Sequence, residues 1–164
     1  MELWGVTGWK NSGKTGLMER LVAEFSSRGL VVSTVKHAHH AFDVDHPGKD
    51  SYRHRVAGAK EVLLSSRNRW ALMHENRDSA EATLDALLAS LSPADLVLIE
   101  GFKREGHPKI EAHRKETGAL LIAPEDPTIR AIASDSGASV PGRPTFHLDH
   151  TADIADFISQ ELGL

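Results

Sequence analysis

A chain of 164 residues is long enough to close one hydrophobic core and short for two. The formal net charge of −4 argues against a general nucleic-acid surface. The absence of cysteine excludes disulfides, thiolate zinc sites and cysteine-ligated iron–sulfur clusters.

The first apolar run, residues 3–6, predicts a strand that leads straight into a glycine-rich loop. Behind the loop, Leu17, Leu21, Val22 and Phe25 recur at helical spacing, and Gly29 stands where a helix C-terminus favours glycine. Residues 30–35 form an apolar, β-branched run, the pattern of a buried parallel strand. A polar loop over 37–49 leads into a short helix near 50–57, and residues 61–64 and 70–73 predict two more strands. Asp78 and Glu81 have capping-box spacing ahead of a helical face made by Leu84, Leu87, Leu88 and Leu91. Residues 95–99 predict another buried strand, and 109–113, 120–123 and 129–133 are shorter strand candidates. The chain closes on a helix whose face is Ile154, Phe157, Ile158 and Leu162. Strands alternating with helices predict an α/β fold of three layers with a mostly parallel sheet. No repeat, low-complexity tract or linker divides the chain, so one domain over 1–164 is expected. No segment reaches the roughly 18 apolar residues of a membrane span. The start on a strand, without a basic apolar leader, points to a cytoplasmic protein.

The loop Gly8-Trp9-Lys10-Asn11-Ser12-Gly13-Lys14-Thr15 matches G-x-x-x-x-G-K-T in full. Glycines at its ends let successive backbone N–H groups turn toward an anion. Lys14 brings a fixed positive charge to the β- and γ-phosphates, and the Thr15 hydroxyl is a magnesium ligand. The following helix aims its positive dipole end at the same point. The candidate binding residues are therefore Gly8, Lys10, Asn11, Ser12, Gly13, Lys14, Thr15 and Gly16. A solvated glycine turn would show the same letters, but not an apolar strand before them and an amphipathic helix behind.

Such a site needs a second acidic group near the metal, at the end of a neighbouring strand. Glu100 ends the apolar run Leu96-Val97-Leu98-Ile99, at the strand edge where open α/β sheets place ligands. It is assigned to the metal with Thr15, and to catalysis with Lys14. Asp45, in the Asp45-His46-Pro47-Gly48 segment, is a further metal candidate, reaching the ion through water. A carboxylate can accept both the N1–H and the exocyclic amine of guanine, whereas adenine offers no such pair. The usual N-K-x-D carrier is absent, and Asp135, after the short apolar strand, is the candidate in its place. The residues alone favour guanine only slightly.

Taken together, the phosphate loop, Lys36-His37-Ala38-His39-His40, the run from Asp43 through Pro47-Gly48-Lys49-Asp50-Ser51, and Glu100-Gly101-Phe102-Lys103 resemble the molybdopterin-guanine dinucleotide biosynthesis adaptor family (MobB). Arg53, Ala57-Gly58-Ala59 and the residues up to Asp135 extend the match in the same order. The resemblance implies a homodimeric GTP-binding protein of the P-loop class with weak magnesium-dependent hydrolysis. Its implied partner is the guanylyltransferase that attaches GMP to molybdopterin, with molybdopterin itself a candidate ligand. It also implies Asp135 as guanine contact and Thr15 with Glu100 as the magnesium neighbourhood. One position departs from the wider class of dimeric nucleotidases. Trp9 stands directly after the first loop glycine, where that class carries a lysine reaching across the dimer, and Lys10 comes one place later.

His37, His39 and His40 could bind zinc as neutral imidazoles, but no carboxylate–histidine framework accompanies them. Their place on the ligand edge favours contact with a phosphate or a pterin-bearing partner. Lys49, Arg53 and Arg55 read equally as an anion patch or a solvated helix face. The rival function is a small-molecule kinase, whose lid cations would come from Lys103, Arg104, Lys109 and Arg114.

Overall fold

The computed structural model describes residues 1–38 and 42–164. Their contacts gather into two compact units, Met1–His37 with Leu87–Leu164, and Ala38–Ala86. No change in composition marks either junction. His39 and His40 lie outside the described residues.

In the first unit, strands β1 (Glu2–Thr7), β2 (Val32–Lys36), β5 (Leu96–Glu100), β6 (Lys109–His113), β7 (Ile129–Ser134) and β8 (Thr145–His147) form one sheet in the order β2-β5-β1-β6-β7-β8. Every neighbouring pair is parallel. The α/β class and the parallel sheet read from the alternating pattern are what the chain forms. β2 is an edge strand and only partly buried, whereas β5, flanked on both sides, is buried at all five positions.

Helices α1 (Lys14–Ser27) and α4 (Thr151–Leu162) cover one face of this sheet. Leu17, Leu21 and Phe25 recur at i, i+4 and i+8, so one stripe of α1 is fully buried against Trp4, Leu96 and Leu98. Burying a leucine or phenylalanine side chain contributes about 1.5–3 kcal/mol, so this stripe anchors the helix behind the loop. Arg20 joins the helices by donating to the Leu148 carbonyl at 2.7 Å and to Thr151 Oγ1 at 3.0 Å. Ala123, Ile129 and Ile132 form a second cluster, with Leu121, Ile122 and Val140 against it. A bulge at Arg130 lets both Ile129 and Ile132 reach it, because Ile129 pairs with Lys109 and Ala131 with Ile110.

The second unit holds α2 (Asp50–Val56) and an antiparallel hairpin of β3 (Glu61–Ser65) and β4 (Trp70–His74). The two strands predicted here therefore make a sheet of their own. Arg55 binds three carboxylates, Asp43 at 2.9 Å, Asp45 at 2.6 Å and Glu75 at 3.0 Å. It is an internal cross-link, so neither the anion patch nor the solvated helix face describes it.

Two expectations are corrected, and one strand is new. Residues 120–123 form no strand. The Glu111 carboxylate takes the N–H groups of Ile122 and Ala123, and Pro124 opens a 3-10 turn over Ala123–Glu125. The place beside β7 belongs to β8, whose three residues give too short a run to read. The last helix before β5, α3 (Leu84–Ala89), starts after the Asp78–Glu81 pair, and Thr83 Oγ1 accepts the Ala86 N–H at 3.2 Å in the capping role.

Candidate phosphate-binding site

β1 lies between β5 and β6, so its carboxyl end delivers the glycine loop to the middle of the sheet edge. Two glycines are sterically required there. At Gly8 (φ 141°) a Cβ would overlap the Ala112 carbonyl oxygen and stand 2.5 Å from Ser12 Oγ. At Gly13 (φ 93°) it would stand 2.9 Å from Leu148 Cδ2 and 3.0 Å from Arg114 Nε. Asn11 completes the curl at φ 64°, a conformation that asparagine tolerates better than most residues.

The helix that follows is left open toward the loop. No side chain caps α1 and its first turn holds no acid among the described residues. Its first N–H groups are thus directed at whatever the loop encloses. Ser12 Oγ is buried with no hydrogen-bond partner. Asn11, Ser12, Gly13, Lys14, Thr15 and Gly16 line a cleft of about 350 Å³ together with Arg114. Lys10 is exposed and outside this lining.

Lys14 bends back over the loop and donates to the Trp9 carbonyl at 2.6 Å. Burial lowers its pKa, Glu100 opposes that shift, and Lys103 and Lys36 add to it. An ammonium depressed by burial and neighbouring ammoniums is one that an incoming anion would stabilise. Thr15 Oγ1 donates to Glu100 Oε1 at 3.4 Å, and Lys36 Nζ lies 3.5 Å from the same oxygen. The parallel register causes this convergence, since Glu100 pairs with Lys36 on one side and Val6 on the other. The Glu100 side chain is 12% exposed, so its charge acts at short range on this cluster.

Other expected site residues have partners of their own. Asp45 has both oxygens on Arg55, at 2.6 and 3.5 Å, and that guanidinium holds its pKa down. Asp135 follows β7 at the same edge as the loop, and its Oδ1 accepts the Lys115 N–H at 2.9 Å. The His37 ring packs at a tilt against Phe102, centroids 4.8 Å apart. Among the described residues no three His, Asp or Glu side chains are grouped to hold a metal ion. Magnesium needs no such cage, because it keeps several waters and few protein ligands.

Of the four cations considered for a kinase lid, Lys109 is fully buried. Its ammonium donates to the carbonyls of Glu105 and His107 and to Thr128 Oγ1, a structural role. Lys103 Nζ sits 4.6 Å from the Trp9 ring centroid, and Arg114 lines the cleft. Lys36, given no role in the sequence, and Arg114, named there only as a lid cation, share one signal. Each stands at or just past the carboxyl end of a strand that neighbours the loop or Glu100.

The family model for "Molybdopterin guanine dinucleotide synthesis protein B" matches residues 3–135. This chain belongs to the MobB family. The matched span takes in the MobB phosphate loop, Glu100, Arg114 and Asp135, while β8 and α4 lie beyond it. Among curated relatives, the molybdopterin-guanine dinucleotide biosynthesis adapter protein of Haemophilus influenzae is 40% identical over 98% of this chain and 89% of its own length. That of Escherichia coli is 41% identical over 81% and 78%. The Bacillus subtilis MobB structure superposes with a TM-score of 0.76 at 27% identity, covering 99% of this chain and 98% of that one. A MobB homologue from Bacillus stearothermophilus gives 0.70 at 29%, covering 98% and 97%.

Proposed function

We propose that this MobB-family chain is a GTP-binding adapter in molybdopterin-guanine dinucleotide biosynthesis, acting in the cytoplasm beside the enzyme that attaches GMP to molybdopterin. The observation that carries the nucleotide part is the uncapped, cation-lined loop at the head of α1, with Thr15 and Glu100 meeting on its flank. The residues fit a magnesium nucleotide. Loop N–H groups would hold phosphate oxygens, Lys14 would exchange the Trp9 carbonyl for an anion, and Ser12 Oγ would gain a partner. Thr15 and Glu100 would hold magnesium, which offsets phosphate charge and polarises the terminal phosphate. Asp45 has no part in this reading, because Arg55 already neutralises it.

Weak hydrolysis fits the same geometry. Glu100 would orient an attacking water, and Trp9 instead of a lysine directly follows Gly8, where a lysine would stabilise the leaving charge from a second subunit. The adapter role rests on the family to which the chain belongs. A small-molecule kinase would instead pass the phosphate to an acceptor. Comparing transfer to candidate acceptors with release to water separates the two.

Titration calorimetry with GTP and magnesium tests the site. Lys14→Ala should weaken binding at least tenfold, about 1.4 kcal/mol, with the fold unchanged by circular dichroism. Equal affinity in the variant would end the phosphate-loop assignment.

A further inference from the structure

Arg114 follows β6 directly and points its guanidinium into the phosphate cleft. A Cβ placed on Gly13 would lie 3.0 Å from its Nε and 3.7 Å from its Cζ, so the group stands against the loop backbone. Among the described residues its side chain has no hydrogen bond and no ion pair, although it directly follows a strand in a well-packed sheet. A guanidinium held in a cleft without a carboxylate is matched to a phosphate, whose oxygens accept two of its parallel N–H bonds.

The flank on which it stands indicates which phosphate. β5 lies on one side of β1 and β6 on the other. Thr15, Glu100 and Lys36 gather on the β5 side, and Lys14 is held between them and the loop. That side would take the metal and the terminal phosphate. The β6 side carries Arg114, and the next strand outward ends at Asp135, whose carboxylate accepts the N–H of Lys115. A nucleotide laid from Glu100 toward Asp135 passes Arg114 with its inner phosphates.

We infer that Arg114 is the binding residue for the inner phosphates of the nucleotide, gripping nucleoside di- and triphosphates alike. This rests on the nucleotide site proposed above. A residue on the metal flank would favour the triphosphate, whereas one on the β6 flank adds the same affinity to both.

Calorimetric Kd values for GTP and GDP, each with magnesium, test the inference on the full chain. Arg114→Ala should weaken both by about tenfold, the scale of one charge-assisted pair, and leave their ratio within about twofold. Arg114→Lys should recover part of the loss for both, since it keeps the charge without the fork. A loss confined to GTP would overturn the inference by placing Arg114 at the terminal phosphate, and unchanged affinities would overturn it outright. Lys14→Ala serves as the control. If it weakens binding while Arg114→Ala does not, only the role of Arg114 fails; if neither variant matters, the phosphate-loop reading fails with it. Arg114 is exposed and unpaired, so thermal melting of the variants should match the parent.

Discussion

His107 is 9% exposed and neither of its ring nitrogens has a hydrogen-bond partner, so its imidazole is buried in the neutral form. Gly5 is what makes room for it, since a Cβ there would lie 2.7 Å from His107 Nε2. Burial, helped by Lys109 and opposed by Asp126, lowers its pKa to about 4 from an ordinary 6.5. The unfolded chain therefore binds the proton first. Stability is fully present above pH 6.5 and falls as pH drops toward about 4, a difference on the order of 3 kcal/mol. Glu111, whose pKa burial raises, works in the opposite sense over its own range, so the parent's acid limb alone does not isolate His107. His107→Phe does, because a ring that cannot titrate removes one contribution and leaves the others. Urea denaturation from pH 7 to 4 should show a shallower loss of stability in the variant. Parallel curves would mean that His107 is already protonated or hydrated in the folded protein.

At the level of elements, the carboxyl edge of the sheet decides what the site can read. Asp135 stands past β7, two strands from the loop, and its Oδ1 spends one lone pair on the Lys115 N–H. Carboxylate oxygens carry further lone pairs, so a guanine edge can still be accepted. Asp135→Ala should therefore lower GTP affinity by about 2 kcal/mol and leave ATP nearly unchanged, collapsing the preference between them. Competition binding measures that ratio directly, and an unaltered ratio would move base reading to backbone groups near Pro124. This edge was partly legible in the letters of the chain. The loop, its strand and α1 are contiguous, so Gly8, Gly13, Lys14 and Thr15 announce themselves, and the apolar run before Glu100 places that carboxylate at a strand end. In the sequence Arg114 reads only as a lid cation and Lys36 has no role, because their convergence depends on the strand order β2-β5-β1-β6, which local patterns do not encode. Glu111 illustrates the same limit. A buried carboxylate that captures the N–H groups of Ile122 and Ala123 turns an apolar strand-like run into a 3-10 turn.

For the molecule as a whole, the expected homodimer depends on surface that the described chain leaves uncovered. In the hairpin, Leu63 pairs with Leu72 and Ser65 with Trp70, which puts Leu63, Trp70 and Leu72 on one face. All three are exposed, at 61%, 62% and 48%. The opposite face carries Val62, which is buried, opposite Met73. The hairpin thus has apolar side chains on both faces, whereas a solvated antiparallel pair alternates apolar with polar. A two-stranded sheet is also marginal alone and exposes its edges to pairing. A second copy applying the same face would bury these residues through a self-complementary contact, the commonest arrangement in soluble oligomers. Leu72→Glu places a charge at the centre of that face while leaving Val62 and Met73 in place. Light scattering coupled to size exclusion should report a dimer for the parent and a monomer for Leu72→Glu at the same concentration. GTP affinity per chain should be retained, because every residue of the phosphate cleft lies in the other unit. A parent that elutes as a monomer, or a variant that stays dimeric, would remove the hairpin face from the dimer.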